Sequence, residues 1–123
     1  MKHISFFLTT PQIRSRVKTV TRRLGWRTLR PGTRLWAVVK AQGLPKGARV
    51  ERLGVIEVVD VRREPLRCVL DSPSYGRMDV TREGFPHYTP EVFVAMFCGT
   101  HKGCTPESDI TRIEFRYVDE GDA

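Results

Sequence analysis

Cysteine is scarce in this chain: Cys68, Cys98 and Cys104 are the only three. An odd number with no secretion signal beside it argues against a disulfide framework. Long hydrophobic runs are missing as well. The N-terminal apolar run, Ile4 to Leu8, covers five residues before Thr9-Thr10-Pro11. That is too short for a signal-peptide core and far too short to cross a bilayer, so a cytoplasmic protein without a membrane partner is expected. Acidic residues are also in deficit, 14 against 21 Lys and Arg, which leaves a net charge of +7. Such an excess speaks to partners more than to fold. Phosphates or a nucleic acid are the natural expectation, set against a basic surface that binds nothing. The chain has no internal repeat, no low-complexity segment, no P-loop and no serine elbow of the hydrolase type.

What is present suits one domain over residues 1–123. Hydrophobic residues make up 40% of the chain, enough for one core, and Trp26 and Trp36 add large apolar bodies. His3 to Leu8 reads as a first strand. Thr9-Thr10-Pro11 reads as a helix start, since proline suits the first helical position. Ile13 and Val17, four apart, would share a face of that helix, which should end near Lys18. Pro31-Gly32 marks a turn. Thr33 to Lys40 and Leu53 to Arg62 are strand candidates, the second being the strongest. Val69-Leu70 and Met78 to Thr81 read as short extended pieces around a turn at Asp71 to Ser74. Thr89-Pro90-Glu91 starts a second helix, with an apolar stripe at Val92, Phe93, Met96 and Phe97. Ile110 to Val118 alternates Ile113, Phe115 and Tyr117 against Arg112, Glu114 and Arg116, as a half-solvated strand does. Asp119 to Ala123 is an acidic tail. The expected fold is α+β, mostly β: a small, partly closed β-barrel of about five to six strands with two short helices. The helices do not alternate with the strands, which excludes a doubly wound fold.

Arg16-Val17-Lys18-Thr19-Val20-Thr21-Arg22-Arg23 packs four cations and two hydroxyls into eight residues. Lys18 and Thr21 are three apart, so a helix-to-strand junction can bring an ammonium beside a hydroxyl. A desolvated lysine near other cations has a lowered pKa, and its neutral amine can act as a base or activate a hydroxyl. Thr19, Thr21 and Arg23 share one face at strand spacing. Arg22 and Arg23 can hold an anionic group or stack on a base. The plainer reading is a basic run at a helix C-terminus, where cations are favoured.

The segment Ile4 to Phe7, a short helix, and then Lys18 to Arg23 resembles the ASCH domain family, small β-barrels of the PUA-like superfamily associated with RNA. Pro31 to Trp36 looks like that family's second element, and Ile110 to Val118 like its closing strand. The family signature sets a glycine, a lysine two residues on, an acidic residue three further and an arginine two after that. Arg16, Lys18, Thr21 and Arg23 stand there, so two of the four match. The Lys-Thr-x-Thr-x-Arg version resembles a bacterial subgroup that hydrolyses N(4)-acetylcytidine with a lysine, a threonine and a distant glutamate. The resemblance implies Lys18, Thr21 and Glu83 as catalytic residues. It implies Thr19, Arg22, Arg23, Trp26 and Tyr75 as contacts to substrate or nucleic acid, although core or rim packing is the favoured role for Trp26 and Tyr75. Glu83 can equally be a first-turn charge near a helix N-terminus. The implied activity is removal of an acyl group from the exocyclic amine of a modified cytidine or related nucleoside, with no cofactor. The alternative is an RNA-binding module without catalysis. Cys98, His101 and Cys104 form a weak metal-site candidate, with Cys68 or His87 as a fourth ligand.

Overall fold

The Val- and Ile-rich run in the middle of the chain forms the longest strand of the molecule. The computed structural model describes residues 1–119. The acidic tail beyond Asp119 lies outside the described residues. Five strands form one sheet: β1 (His3–Ser5), β2 (Val20–Arg23), β3 (Arg34–Val38), β4 (Arg52–Pro65) and β5 (Asp109–Val118). Their order is β1-β3-β4-β5-β2. β1 runs parallel to β3, and every other pairing is antiparallel. Four α-helices are interspersed: α1 (Thr10–Arg14), α2 (Cys68–Asp71), α3 (Pro73–Arg82) and α4 (Pro90–Thr100). None of them is long and apolar enough to cross a membrane.

β4 and β5 form the spine, paired from Val55↔Val118 to Pro65↔Asp109. An irregularity between Val58 and Asp60 resets the side-chain alternation. Val58 is buried before it, Val61 packs on the core after it, and Val59 is left exposed. One core cluster packs against the sheet with Ile4, Phe6, Leu35, Ile56, Val58, Ile113 and Phe115. A second lies under the helices with Leu66, Val69, Val80, Phe93, Phe97 and Ile110.

The sheet is open, so strand pairing does not close the expected barrel. β1 and β2 are its two edges, and β1 stops after three residues because the chain turns at Phe6 into a 3-10 turn, Phe7–Thr9. The Arg23 side chain crosses the seam, Nη2 donating to the Ser5 carbonyl at 2.6 Å.

Two further expectations are corrected. α1 ends at Arg14, well before Lys18, because Arg16 enters the left-handed region at φ 62°. The N–H groups of Val17 and Lys18 both turn back to the Gln12 carbonyl, at 3.0 and 3.3 Å. Ile13 is therefore buried while Val17 is exposed. The stretch around residues 69–82 is helical, not extended, which brings the number of α-helices to four instead of two. Its buried face explains why no helical signal showed. Gly76, Asp79, Val80 and Glu83 follow the i, i+3, i+4, i+7 spacing, yet only one of them is apolar. Gly76 lets α3 lie against α2, since a Cβ there would stand 1.8 Å from the Val69 carbonyl oxygen.

Candidate functional site

α3 ends in a geometry that fixes Glu83. The N–H of Gly84 donates to the Thr81 carbonyl at 3.0 Å and that of Phe85 to the Val80 carbonyl at 3.1 Å. This is the paired-bond helix terminus that requires a left-handed residue, and Gly84 supplies it at φ +99°. Val80 and Phe85 meet in the second core cluster, as that motif favours. Glu83, the capping residue, is thereby turned inward against Lys18. Gly84 also abuts α1, since a Cβ there would stand 2.7 Å from Gln12 Cγ. Gly84→Ala is expected to destabilise the fold by about 2 kcal/mol, by strain at positive φ and by this contact. Chemical denaturation measures it, and an unchanged midpoint would mean the turn is free to relax.

Lys18 lies between α1 and β2 and is buried. Its ammonium donates to Glu83 Oε1 and to the Glu83 carbonyl, each at 2.7 Å. The other carboxylate oxygen, Oε2, accepts from Arg22 Nη1 at 3.1 Å. Burial pulls the Lys18 amine below the ordinary lysine value; Glu83 works against this, and Arg23 and Arg22 add to it. Thr21, on β2, is also buried, and its Oγ1 accepts from Arg23 Nε at 3.1 Å. Burial brings the Arg23 guanidinium down to about 10, so it stays charged at neutral pH.

These side chains line one cavity of about 220 Å³. Lys18, Thr21, Arg23 and Glu83 supply polar groups, while Phe6, Phe85, Phe93 and Phe97 supply aromatic ones. The cavity lies where the two core clusters meet. It is smaller than the roughly 300–1,000 Å³ of a site for a drug-sized ligand, and suits a single small ring with a short substituent.

The remaining residues singled out in the sequence are placed differently. Arg22 also lines the cavity, with no exposed side-chain surface. It pairs with Asp79, Glu83 and Glu64 and donates to the Tyr75 hydroxyl at 3.0 Å. Burial opposes its charge, but Glu83 and Asp79 outweigh that and hold it above the ordinary arginine value. Tyr75 belongs to the same network, packs on the second core cluster and does not line the cavity. Thr19 is used by the backbone, its N–H donating to the Arg82 carbonyl at 2.8 Å. Trp26, left-handed at φ 59°, lines a separate groove of about 850 Å³ together with Lys2, Arg27, Arg30 and Arg34. Groove and cavity share Arg23. The Cys98 and Cys104 thiols are 3.7 Å apart. Burial and Cys104 push Cys98 up to about 11. His101 stacks on Phe97. Among the described residues, no three His, Cys, Asp or Glu side chains are grouped to hold a metal.

Two members of the network escaped the sequence reading. Arg112 was expected on a solvated strand face, but β5 is an inner strand and Arg112 is buried against α3. Asp79 on α3 takes Arg112 in two bonds, 2.9 and 2.8 Å. A carboxylate at helical spacing from Glu83 was the available signal.

No protein-family model and no curated protein matches this sequence. Among solved structures, a crystal structure of protein EF3133 from Enterococcus faecalis V583, family-model DUF984, is similar with a TM-score of 0.54. The two share 16% identity, over 96% of this chain and 80% of that one. Likeness at that level bears on the fold alone: a small α+β protein built on a mostly antiparallel sheet.

Proposed function

We propose that the chain is an ASCH-type amidohydrolase that removes an acyl group from the exocyclic amine of a modified cytidine or related nucleoside. The observation that carries this reading is the buried Lys18–Glu83 pair lining one small cavity with the Thr21 hydroxyl. Arg16 adds support, because the position where the resemblance expects glycine is left-handed here. The Arg23 side chain bridges the two edge strands of the open sheet, which is compatible with a PUA-like arrangement.

The hydrogen bonds support the roles of Arg23 and Glu83, and the shared cavity that of Lys18 beside Thr21. Thr21 Oγ1 already accepts from Arg23, so its own proton points elsewhere and Arg23 stabilises the alkoxide as it forms. The neutral Lys18 amine takes that proton while Oγ1 attacks the acyl carbon. Both oxygens of Glu83 hold cations, which makes it the group that orients Lys18 rather than an acid. As the tetrahedral species collapses, the C–N bond breaks and Lys18 returns the proton to the leaving amine. Water then hydrolyses the threonine ester with Lys18 as base, releasing the carboxylate. Incubation with N(4)-acetylcytidine should release cytidine and acetate in equal amounts. No release across a panel of N-acylated nucleosides would sink the reading.

A second reading, an RNA-binding module, is favoured by the groove that meets the cavity at Arg23. Lys2, Arg27 and Arg30 line it beside Trp26 with no carboxylate among them. Steeply salt-dependent binding of single-stranded RNA, without turnover, would favour it.

A further inference from the structure

His101 follows α4 and lines the same cavity as Lys18, Thr21 and Glu83. Its ring is held in one orientation. It stacks on Phe97 with centroids 4.0 Å apart and planes 15° from parallel. Nδ1 lies 2.8 Å from the Phe97 carbonyl oxygen. A carbonyl oxygen only accepts, so Nδ1 carries the proton. The Thr100 hydroxyl, 3.1 Å from the same nitrogen, agrees with this. Its own proton goes to the Met96 or Phe97 carbonyl, and it shows His101 a lone pair. In the neutral ring Nε2 is therefore an acceptor. No hydrogen bond to Nε2 is present among the described residues.

That acceptor stands out against the charged groups around it. Arg23 can only donate, and so does Lys18 while it is charged. Glu83, the anion of the cavity, has one oxygen taken by Lys18 and the other by Arg22. Nε2 offers a ligand N–H an acceptor that no other described group engages, whereas each Glu83 oxygen already accepts from a cation.

We propose that His101 Nε2 is the acceptor by which the cavity selects a ligand presenting an N–H. Among pyrimidine nucleosides it then favours one with an exocyclic amine over one with a carbonyl at the same place. A carbonyl there would set its lone pairs against that of Nε2. The inference rests on the nucleoside reading above and names the group that makes it specific for an amine. A residue that only caps α4 and stacks on Phe97 would affect stability and leave discrimination alone.

Cytidine and uridine differ in this group and serve as probes, since their binding needs no turnover. Titration calorimetry on the whole chain at pH 8 should find cytidine bound about tenfold tighter than uridine, the worth of one neutral hydrogen bond. His101→Phe keeps a ring to stack on Phe97 and should erase the preference, bringing cytidine down to the uridine affinity. His101→Gln restores an acceptor and should recover part of the preference, which guards against a loss caused by misfolding of the phenylalanine variant. Equal affinities in the unaltered protein, or an intact preference in both variants, would overturn the role of His101 and leave the nucleoside reading standing. Failure of both nucleosides to bind at millimolar concentration would overturn the two together.

Discussion

Asp79→Ala should cost about 3–5 kcal/mol, a large share of the stability of a domain this size. Asp79 has no solvent exposure. It accepts two bonds from Arg112 and pairs with Arg22, both buried. Removing it leaves the Arg112 guanidinium in the interior without its principal counter-charge and takes from Arg22 one of its three carboxylate partners. The penalty is the desolvation of those cations more than the loss of the bonds. Urea denaturation measures it, with Glu51→Ala as the control. Glu51 pairs with Arg14 at the surface, and that change should cost less than about 1 kcal/mol. If the two variants lose equal stability, the buried network is not what holds α3 against the sheet. The pH dependence has a definite sign. Burial would raise the Asp79 carboxyl, but Arg112 and Arg22 outweigh it and hold it below the ordinary aspartate value. A carboxyl depressed in the folded state contributes stability that is complete above its unfolded pKa of 3.8. That contribution is lost as pH falls through the folded value. Acid unfolding below this range should therefore be blunted in Asp79→Asn relative to its own neutral stability.

This network also explains how much could be read in advance. β3, β4, β5 and α4 announce themselves, because their apolar residues follow the strand or helix period and Thr89 caps α4, accepting from the Val92 N–H at 3.1 Å. α3 does not, because its inward face is made of glycine, carboxylates and one valine. Charged residues at helical spacing look like a solvated surface until a second element brings the opposite charge to them. Arg112 was misread for the same reason from the other side. Alternation along β5 marks which residues share a face, but it cannot tell that helices cover that face at Arg112 and leave it open at Arg116. The site divides along the same line. Lys18 and Thr21 follow from their spacing at a junction, whereas Glu83 came from resemblance, 65 residues away from Lys18. His101 was singled out for its neighbouring thiols, and the fold turns it toward the cavity.

If the chain is the proposed amidohydrolase, Thr21→Val should reduce turnover of an N-acylated nucleoside by roughly 10³–10⁴-fold, since it removes the atom proposed to attack and leaves only binding and charge stabilisation. Stability should change by no more than about 1 kcal/mol. Valine keeps the β-branched shape on β2, and the unmet partner, Arg23 Nε, belongs to a side chain still bonded to the Ser5 carbonyl. This separation distinguishes a nucleophile from a structural hydroxyl, which would lose both together or neither. The rate should also rise with pH, because the reactive form of Lys18 is the neutral amine. Burial sets that limb below the ordinary lysine value of 10.5. Glu83 is the group that holds the Lys18 pKa up, so Glu83→Gln should move the limb to lower pH even as the rate itself falls. A limb that stays in place in Glu83→Gln would assign the titration to another group. Wild-type turnover in Thr21→Val would remove the threonine from the reaction, leaving Lys18 to activate water directly.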